Sequence, residues 1–239
     1  YFATFRLATA AGPIIGAFLI TRVSFVLSFV VAVALLIVSA IPLFMSSDVK
    51  RRYQITIRGI SKNGSARDNI GYLSFGARSI TDTIVWPVFI FLTLGEYLSL
   101  GFIITIGLLT MPIFDILMGK ISEKVKKDRL VKFGAGLNAI SFPLRATATT
   151  LPSLTLLNVY SSATDIIMHV PYLSIVFNKV KKKYVIEFFL WRELLLTAGR
   201  LAMLGIVLLL TTNLVLALVI GGIATLGFSV VKEKKRHVT

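Results

Sequence analysis

The stretch Gly119-Lys120-Ile121-Ser122-Glu123-Lys124-Val125-Lys126-Lys127-Asp128-Arg129 carries seven charged residues in eleven positions. It separates two long apolar runs, 98–118 and 130–150. A short, mostly basic segment between two such runs is typical of a loop that joins two membrane-spanning helices. We therefore expect a short charged loop here, which joins two membrane-spanning helices at the membrane surface.

The composition of the chain indicates that much of it is solvated by lipid. Of its 239 residues, 56% are hydrophobic and only 15% are charged, and the mean hydropathy is +0.84. Soluble domains usually carry about 25% charged residues. The absence of cysteine means that the sequence predicts neither a disulfide framework nor a thiolate metal site.

Apolar runs long enough to cross the hydrocarbon core occur throughout the chain. They lie at 7–21, 23–46, 72–94, 98–118, 130–150, 152–177, 185–210 and 212–231. Their continuous apolarity favours helices over the alternating pattern of barrel strands. We predict an all-α membrane protein, a polytopic bundle of about eight transmembrane helices.

The distribution of the net charge of +15 predicts the orientation of this bundle. Most of the 26 lysine and arginine residues lie in alternate connections, at 47–71, 119–132, 179–183 and 232–236, whereas the opposite connections carry only Arg22 and Arg145. This asymmetry predicts that the basic loops and the C-terminus face the cytoplasm, in a plasma or inner membrane. Because the charges flank apolar runs, we do not expect a nucleic-acid partner, and anionic lipid headgroups are compatible neighbours.

The spacing of the runs divides the chain into three parts. Residues 1–46 are interpreted as the last two helices of an incomplete bundle, 47–71 as a polar cytoplasmic linker, and 72–239 as a six-helix bundle with a basic tail. The first residue is Tyr1 rather than methionine. We therefore expect further helices of the same polypeptide to precede it.

Three segments resemble motifs of the major facilitator superfamily of transporters. Gly119-x-x-x-Glu123-Lys124-x-x-Lys127 resembles the charged signature of a cytoplasmic loop in each half of these proteins, although Lys126 stands where the family usually has glycine. Gly12-Pro13-Ile14-Ile15-Gly16-Ala17 resembles a helix-packing motif often found in proton-driven exporters. Trp191-Arg192-Glu193-Leu194, followed by Gly199-Arg200, is similar to a pattern of the eleventh helix.

The resemblance implies that the chain corresponds to helices five to twelve of a twelve-helix secondary transporter. The implied function is movement of a small solute by alternating access, favoured as proton-coupled export, with protons as coupling ions and no cofactor. An alternative within the same fold is a sugar or organic-anion symporter or uniporter in which Arg200 contacts the anion.

Residues of the charged loop are candidates for conformational coupling. Loop charges that pair in only one of two conformations bias which side of a transporter is open. The candidates are Gly119, Glu123, Lys124 and Lys127, with Asp115 about one helical turn earlier. The alternative is that the lysines only anchor the topology.

Polar residues within the predicted helices give the candidate solute site. Asn158, Ser162, Asp165 and His169 follow the i, i+4, i+7, i+11 spacing of one helix face, which predicts a wet cavity. Asp165 and His169 are candidate proton carriers, since carboxyl and imidazole groups form proton relays in transporters. The alternative is a structural Asp–His pair.

Two further sets of charged residues lie within predicted helices. Arg78 and Asp82 have the spacing of an intrahelical pair, and Asp82 is a candidate site residue. Glu193 and Arg200 share a face and are further candidates for contact with substrate or protons. They are two turns apart, so we expect each to pair with a neighbouring helix.

Other features are interpreted as architecture. Gly199 and the Gly221-Gly222 pair predict close helix packing, and Trp86 is interpreted as a packing or interfacial residue. Two functions of another class are alternatives, a polytopic membrane enzyme and a non-transporting sensor or scaffold. We do not expect an enzyme, because the sequence has two histidines and no arrangement that predicts a nucleophile or a catalytic metal.

Overall fold

The computed structural model describes residues 2–46, 65–180, 184–210 and 213–233, with the side chains of residues 2–6 excepted. These residues form helices, and no strand occurs among them. The helices are α1 (Phe2–Arg22), α2 (Phe25–Met45), α3 (Ala66–Leu94), α4 (Tyr97–Lys124), α5 (Lys127–Ala146), α6 (Leu151–Lys179), α7 (Val185–Leu209) and α8 (Leu214–Leu226), which continues into a 3-10 turn at Gly227–Val230. The all-α prediction is confirmed.

Each predicted apolar run falls on one of these helices, but fewer of them are long and apolar enough to cross a membrane. In the described part of the chain, α2, α3 and α4 meet both criteria. Helix α1 and the α8 region contribute shorter apolar stretches, Leu7–Arg22 and Leu214–Val230. Helices α5, α6 and α7 carry charged and polar residues between their apolar ones, so eight membrane crossings stay a prediction.

Local signals in the sequence explain where the helices begin and end. The hydroxyl groups of Ser24 and Ser65 accept hydrogen bonds from backbone N–H groups of α2 and α3. Gly95, at a φ of 71°, ends α3 in a left-handed conformation that favours glycine. Helix α3 begins at Ala66, inside the stretch interpreted as a linker, whose residues 47–64 lie outside the described part of the chain.

The charged stretch of residues 119–129 contains the expected short connection between two helices. Helix α4 continues to Lys124 and α5 begins at Lys127, so only residues 125 and 126 connect them. The main helix contacts join α3 to α7, α5 to α6 and α8, α4 to α6, and α1 to α4. Helix α2 contacts α1 and has no buried residue.

Glycines allow α3 and α7 to cross at backbone distance. A Cβ atom on Gly76 would overlap the carbonyl group of Leu196, and one on Gly199 would overlap the carbonyl group of Leu73. At Gly221 in α8, a Cβ atom would collide with Thr81. The predictions of close packing at Gly199 and Gly221 are confirmed.

The motif of Gly12, Pro13 and Gly16 packs through other positions than its glycines. A Cβ atom on Gly12 or Gly16 would meet no atom within 4 Å. The close approach to α4 is made by Pro13 and Ala17, which lie against Gly101.

Gly199→Ala is predicted to destabilise the protein by about 1–3 kcal/mol, because the added methyl group forces α3 and α7 apart. The matched control is Gly205→Ala in the same helix, where a Cβ atom meets open space. Thermal unfolding in detergent micelles measures both variants. Equal melting temperatures for the two would contradict the backbone contact.

Candidate functional site

A cavity of about 440 Å³ lies between α3, α4, α5 and α6. Its lining includes four charged side chains, Arg78, Asp82, Arg145 and Asp165. Polar groups come from the α6 residues Asn158, Ser161 and Ser162. Helix α4 supplies an apolar wall of Ile104, Leu108 and Met111.

The backbone of α3 changes where it borders this cavity. Residues Thr81–Val85 form a π-helical turn within the α-helix. Such single turns are rare and frequently occur at functional sites. This one carries Asp82 and is followed directly by Trp86, and both side chains line the cavity.

Arg78 joins three helices through its guanidinium group. Its Nη2 lies 2.8 Å from Asp82 Oδ2 one turn along α3, and its Nη1 lies 2.7 Å from Asp165 Oδ1 on α6. Its Nε donates to Asn138 Oδ1 on α5 over 3.1 Å. All three guanidinium nitrogens therefore have partners, and the side chain is only 9% exposed.

Arg145 shares the carboxylate of Asp82. Its Nη1 lies 2.7 Å from Asp82 Oδ1, so Asp82 bridges the two arginines. The guanidinium group lies 4.6 Å above the Trp86 ring and 4.9 Å from the Phe142 ring centre. Arg145 Nε is buried and has no hydrogen-bond partner among the described residues.

The four charges balance, as two arginines face two aspartates. Charges in a water-poor interior are costly unless they are paired and hydrogen-bonded. Two amide side chains support the cluster. Asn138 Nδ2 donates to Thr164 Oγ1 over 3.0 Å and to the carbonyl oxygen of Ser161 over 3.1 Å, and Asn158 accepts from Trp86 Nε1 over 2.9 Å.

The predicted polar stripe of α6 divides between the cavity and the helix packing. Asn158, Ser162 and Asp165 line the cavity. His169 does not line it and stacks on Phe75 of α3, with ring centres 5.5 Å apart.

The expectation for Glu193 and Arg200 was wrong. Arg200 Nη1 lies 2.8 Å from Glu193 Oε1 on the same helix. Seven residues rise only about 10.5 Å along a helix, and two long side chains can extend towards each other over that length. Neither residue lines the cavity, and Glu193 is exposed.

The charged loop contributes contacts at the end of the bundle away from Asp82. Lys127 Nζ donates to Ser174 Oγ of α6 over 2.7 Å and lies 3.9 Å from Glu233 Oε1. Glu123 and Lys124 are exposed. A Cβ atom on Gly119 would meet open space, and Asp115 is half-buried in α4.

A second pair of contacts joins the start of α3 to α6 and α7. Lys179 Nζ lies 2.5 Å from Asp68 Oδ1, and Trp191 Nε1 donates to Asn69 Oδ1 over 3.0 Å. These contacts, like those of Lys127, lie near the basic connections predicted to be cytoplasmic. They hold the helices together at the end opposite Gly95.

Sequence reasoning missed Arg145 as a site residue and placed it in a connection between helices. The structure buries it to 3% exposure near the end of α5. Trp86, interpreted as a packing or interfacial residue, also lines the cavity. A signal was available, because Arg145 was one of only two basic residues on a side otherwise without them.

Comparison with known proteins found no matching family model, curated protein or solved structure. The function of the chain is therefore argued from the geometry of its own residues.

Arg78→Gln is predicted to destabilise the protein by about 3–5 kcal/mol, because it removes the cation paired with the partly buried Asp165 and leaves Asp82 with Arg145 alone. The matched control is Arg200→Gln, where the ion pair is exposed and its loss should cost less than about 1 kcal/mol. Thermal unfolding of the two purified variants gives the comparison. A similar loss of stability in both would contradict the structural role of Arg78.

Proposed function

We propose that this chain is part of a secondary active transporter, which moves a small solute across a membrane by alternating access. The observation that carries the proposal is the cavity between α3, α4, α5 and α6, with its four paired charges. Ionisable residues within membrane helices are rare, and they mark substrate and ion pathways. Solute sites of transporters lie near the middle of the membrane, between helices.

The proposal includes a membrane-embedded bundle of eight helices in a plasma or inner membrane, with the basic connections in the cytoplasm. Three helices long and apolar enough to cross support this arrangement. Helices α5 and α6 would be tolerated in the membrane because their polar residues Asn138 and Asp165 pair with Arg78 of α3 instead of facing lipid.

A fold of the major facilitator type and preceding helices of the same polypeptide are part of the proposal. The three resembling segments support them. The contacts of Lys127 with α6 and with Glu233 also support a role for the charged loop in holding one conformation.

Proton-coupled export is the favoured mode. Asp82 and Asp165 are carboxylates that line the cavity and pair with arginine, and proton relays in transporters are built from such residues. Glu193 is a weaker candidate, because it pairs with Arg200 outside the lining. The second candidate function is an organic-anion symporter or uniporter, which the two arginines of the cavity favour.

The test uses the full-length protein in liposomes that contain a pH-sensitive dye. Amphipathic drugs, sugars and organic anions are screened under a pH gradient, first with the wild type. Solute-dependent proton flux is expected, with a loss of about tenfold or more in Asp165→Asn, because removing the charge disrupts the pairing of Arg78.

The matched control for this test is Glu96→Gln, which removes an exposed carboxylate whose partner is the hydroxyl group of Ser99. Its flux is expected to equal that of the wild type. Solute movement without proton flux, unchanged in Asp165→Asn, would refute proton coupling. Absence of solute movement for every class would count against transport itself.

A further inference from the structure

The two arginines of the cavity differ in how many of their guanidinium nitrogens have partners. Arg78 uses Nε, Nη1 and Nη2 on Asn138, Asp165 and Asp82. Arg145 has one carboxylate partner, Asp82, and its Nε has no hydrogen-bond partner in the described part of the chain. Of the two arginines that line the cavity, Arg145 is therefore the one with fewer partners among the described residues.

Burial makes this unused donor significant. The Arg145 side chain is only 4% exposed, and a buried donor without an acceptor is unfavourable. Guanidinium groups form paired hydrogen bonds with carboxylates and phosphates, since their planar donors match two oxygens. The ligand chemistry that best fits the Arg145 guanidinium group, which lines the cavity, is an anionic oxygen.

The surroundings of Arg145 limit the size and character of an anion. Its guanidinium group lies over the Trp86 ring, and α4 adds the apolar side chains of Ile104, Leu108 and Met111 to the same cavity. Small-molecule sites usually combine such an apolar lining with a few polar groups that fix orientation. A volume of about 440 Å³ suits a small organic molecule.

We propose that the cavity binds a small monocarboxylate with an apolar body, with Arg145 as the anion-binding residue and Asp82 as its resident counter-ion. Arg78 holds the helices in place and does not contact the solute. The inference rests on the proposed transport function and names its substrate class. It assigns to Arg145 the role that the sequence suggested for Arg200, which is paired with Glu193 outside the cavity.

The role of Asp82 predicts that its removal raises the affinity of the cavity for an anion, whereas a damaged fold would lower it. Asp82 occupies Arg145 Nη1 and also neutralises part of the positive charge of the cavity. Removing its charge leaves a net positive cavity and removes a competitor for Arg145. Asp82→Asn should therefore bind the anion more tightly, whereas a variant that merely disturbs the fold should bind it more weakly.

The experiment measures equilibrium binding of radiolabelled benzoate to the purified full-length protein in detergent, at constant ionic strength. Unlabelled benzamide, which has the same shape without the charge, is the competitor control. Benzoate is expected to bind at least about tenfold more tightly than benzamide, as a charge-assisted contact requires. Gel filtration and thermal unfolding confirm that each variant is folded.

Arg145→Gln is expected to weaken benzoate binding by about tenfold or more, and Asp82→Asn to strengthen it by about threefold or more. The matched control is Arg200→Gln, which removes an arginine outside the cavity and should leave the affinity within about twofold. Unchanged affinity in Arg145→Gln, weaker binding in Asp82→Asn, equal binding of benzamide, or no binding of benzoate would each overturn the inference.

The outcome separates this inference from the proposed function. Benzoate binding that depends on Arg145, without movement of any solute in liposomes, would support the anion site and contradict transport. Transport of a neutral solute that is unaffected by Arg145→Gln would support transport and contradict the anion site.

Discussion

The guanidinium group of Arg78 is the contact on which the rest of the site depends. Its three nitrogens bind residues of α3, α5 and α6, so one side chain sets the positions of three helices around the cavity. Because hydrogen bonds to a buried charge strengthen in a medium of low polarity and their loss is costly, this arrangement favours one geometry. The contacts with Arg78 fix the positions of Asp82, Asp165 and Asn138.

The apolar packing keeps that geometry while leaving space beside it. Gly76 and Gly199 bring α3 and α7 to backbone distance, and Gly221 lets α8 lie against Thr81, at the start of the π-helical turn. Trp86, which lines the cavity, belongs to a buried apolar cluster with Phe142 and Leu154. Arg145 and Asp82 both line the cavity beside this packed region.

The sequence predicted the elements of the fold better than the partners within the site. Apolar run length was sufficient to find the helices, and the charge of residues 119–129 was sufficient to find the connection between α4 and α5, since both are local signals. The α6 stripe was also local, and three of its four residues line the cavity. Pairing is not local: Asp82 reaches Arg145 across 63 residues of sequence. For Glu193 and Arg200 the partner proved to be local instead. The prediction of separate partners failed because the spacing of seven residues does not include the length of the two side chains.

The most direct test of a wet solute cavity in a membrane compares two neighbouring positions at the same depth. Thr83 lines the cavity, whereas Ile84, 40% exposed, lies outside the lining. The chain has no cysteine, so Thr83→Cys and Ile84→Cys each introduce one thiol into it. In liposomes, a hydrophilic maleimide is predicted to label Thr83→Cys and to leave Ile84→Cys unlabelled in lipid. Equal labelling of both, or labelling of neither, would contradict the account.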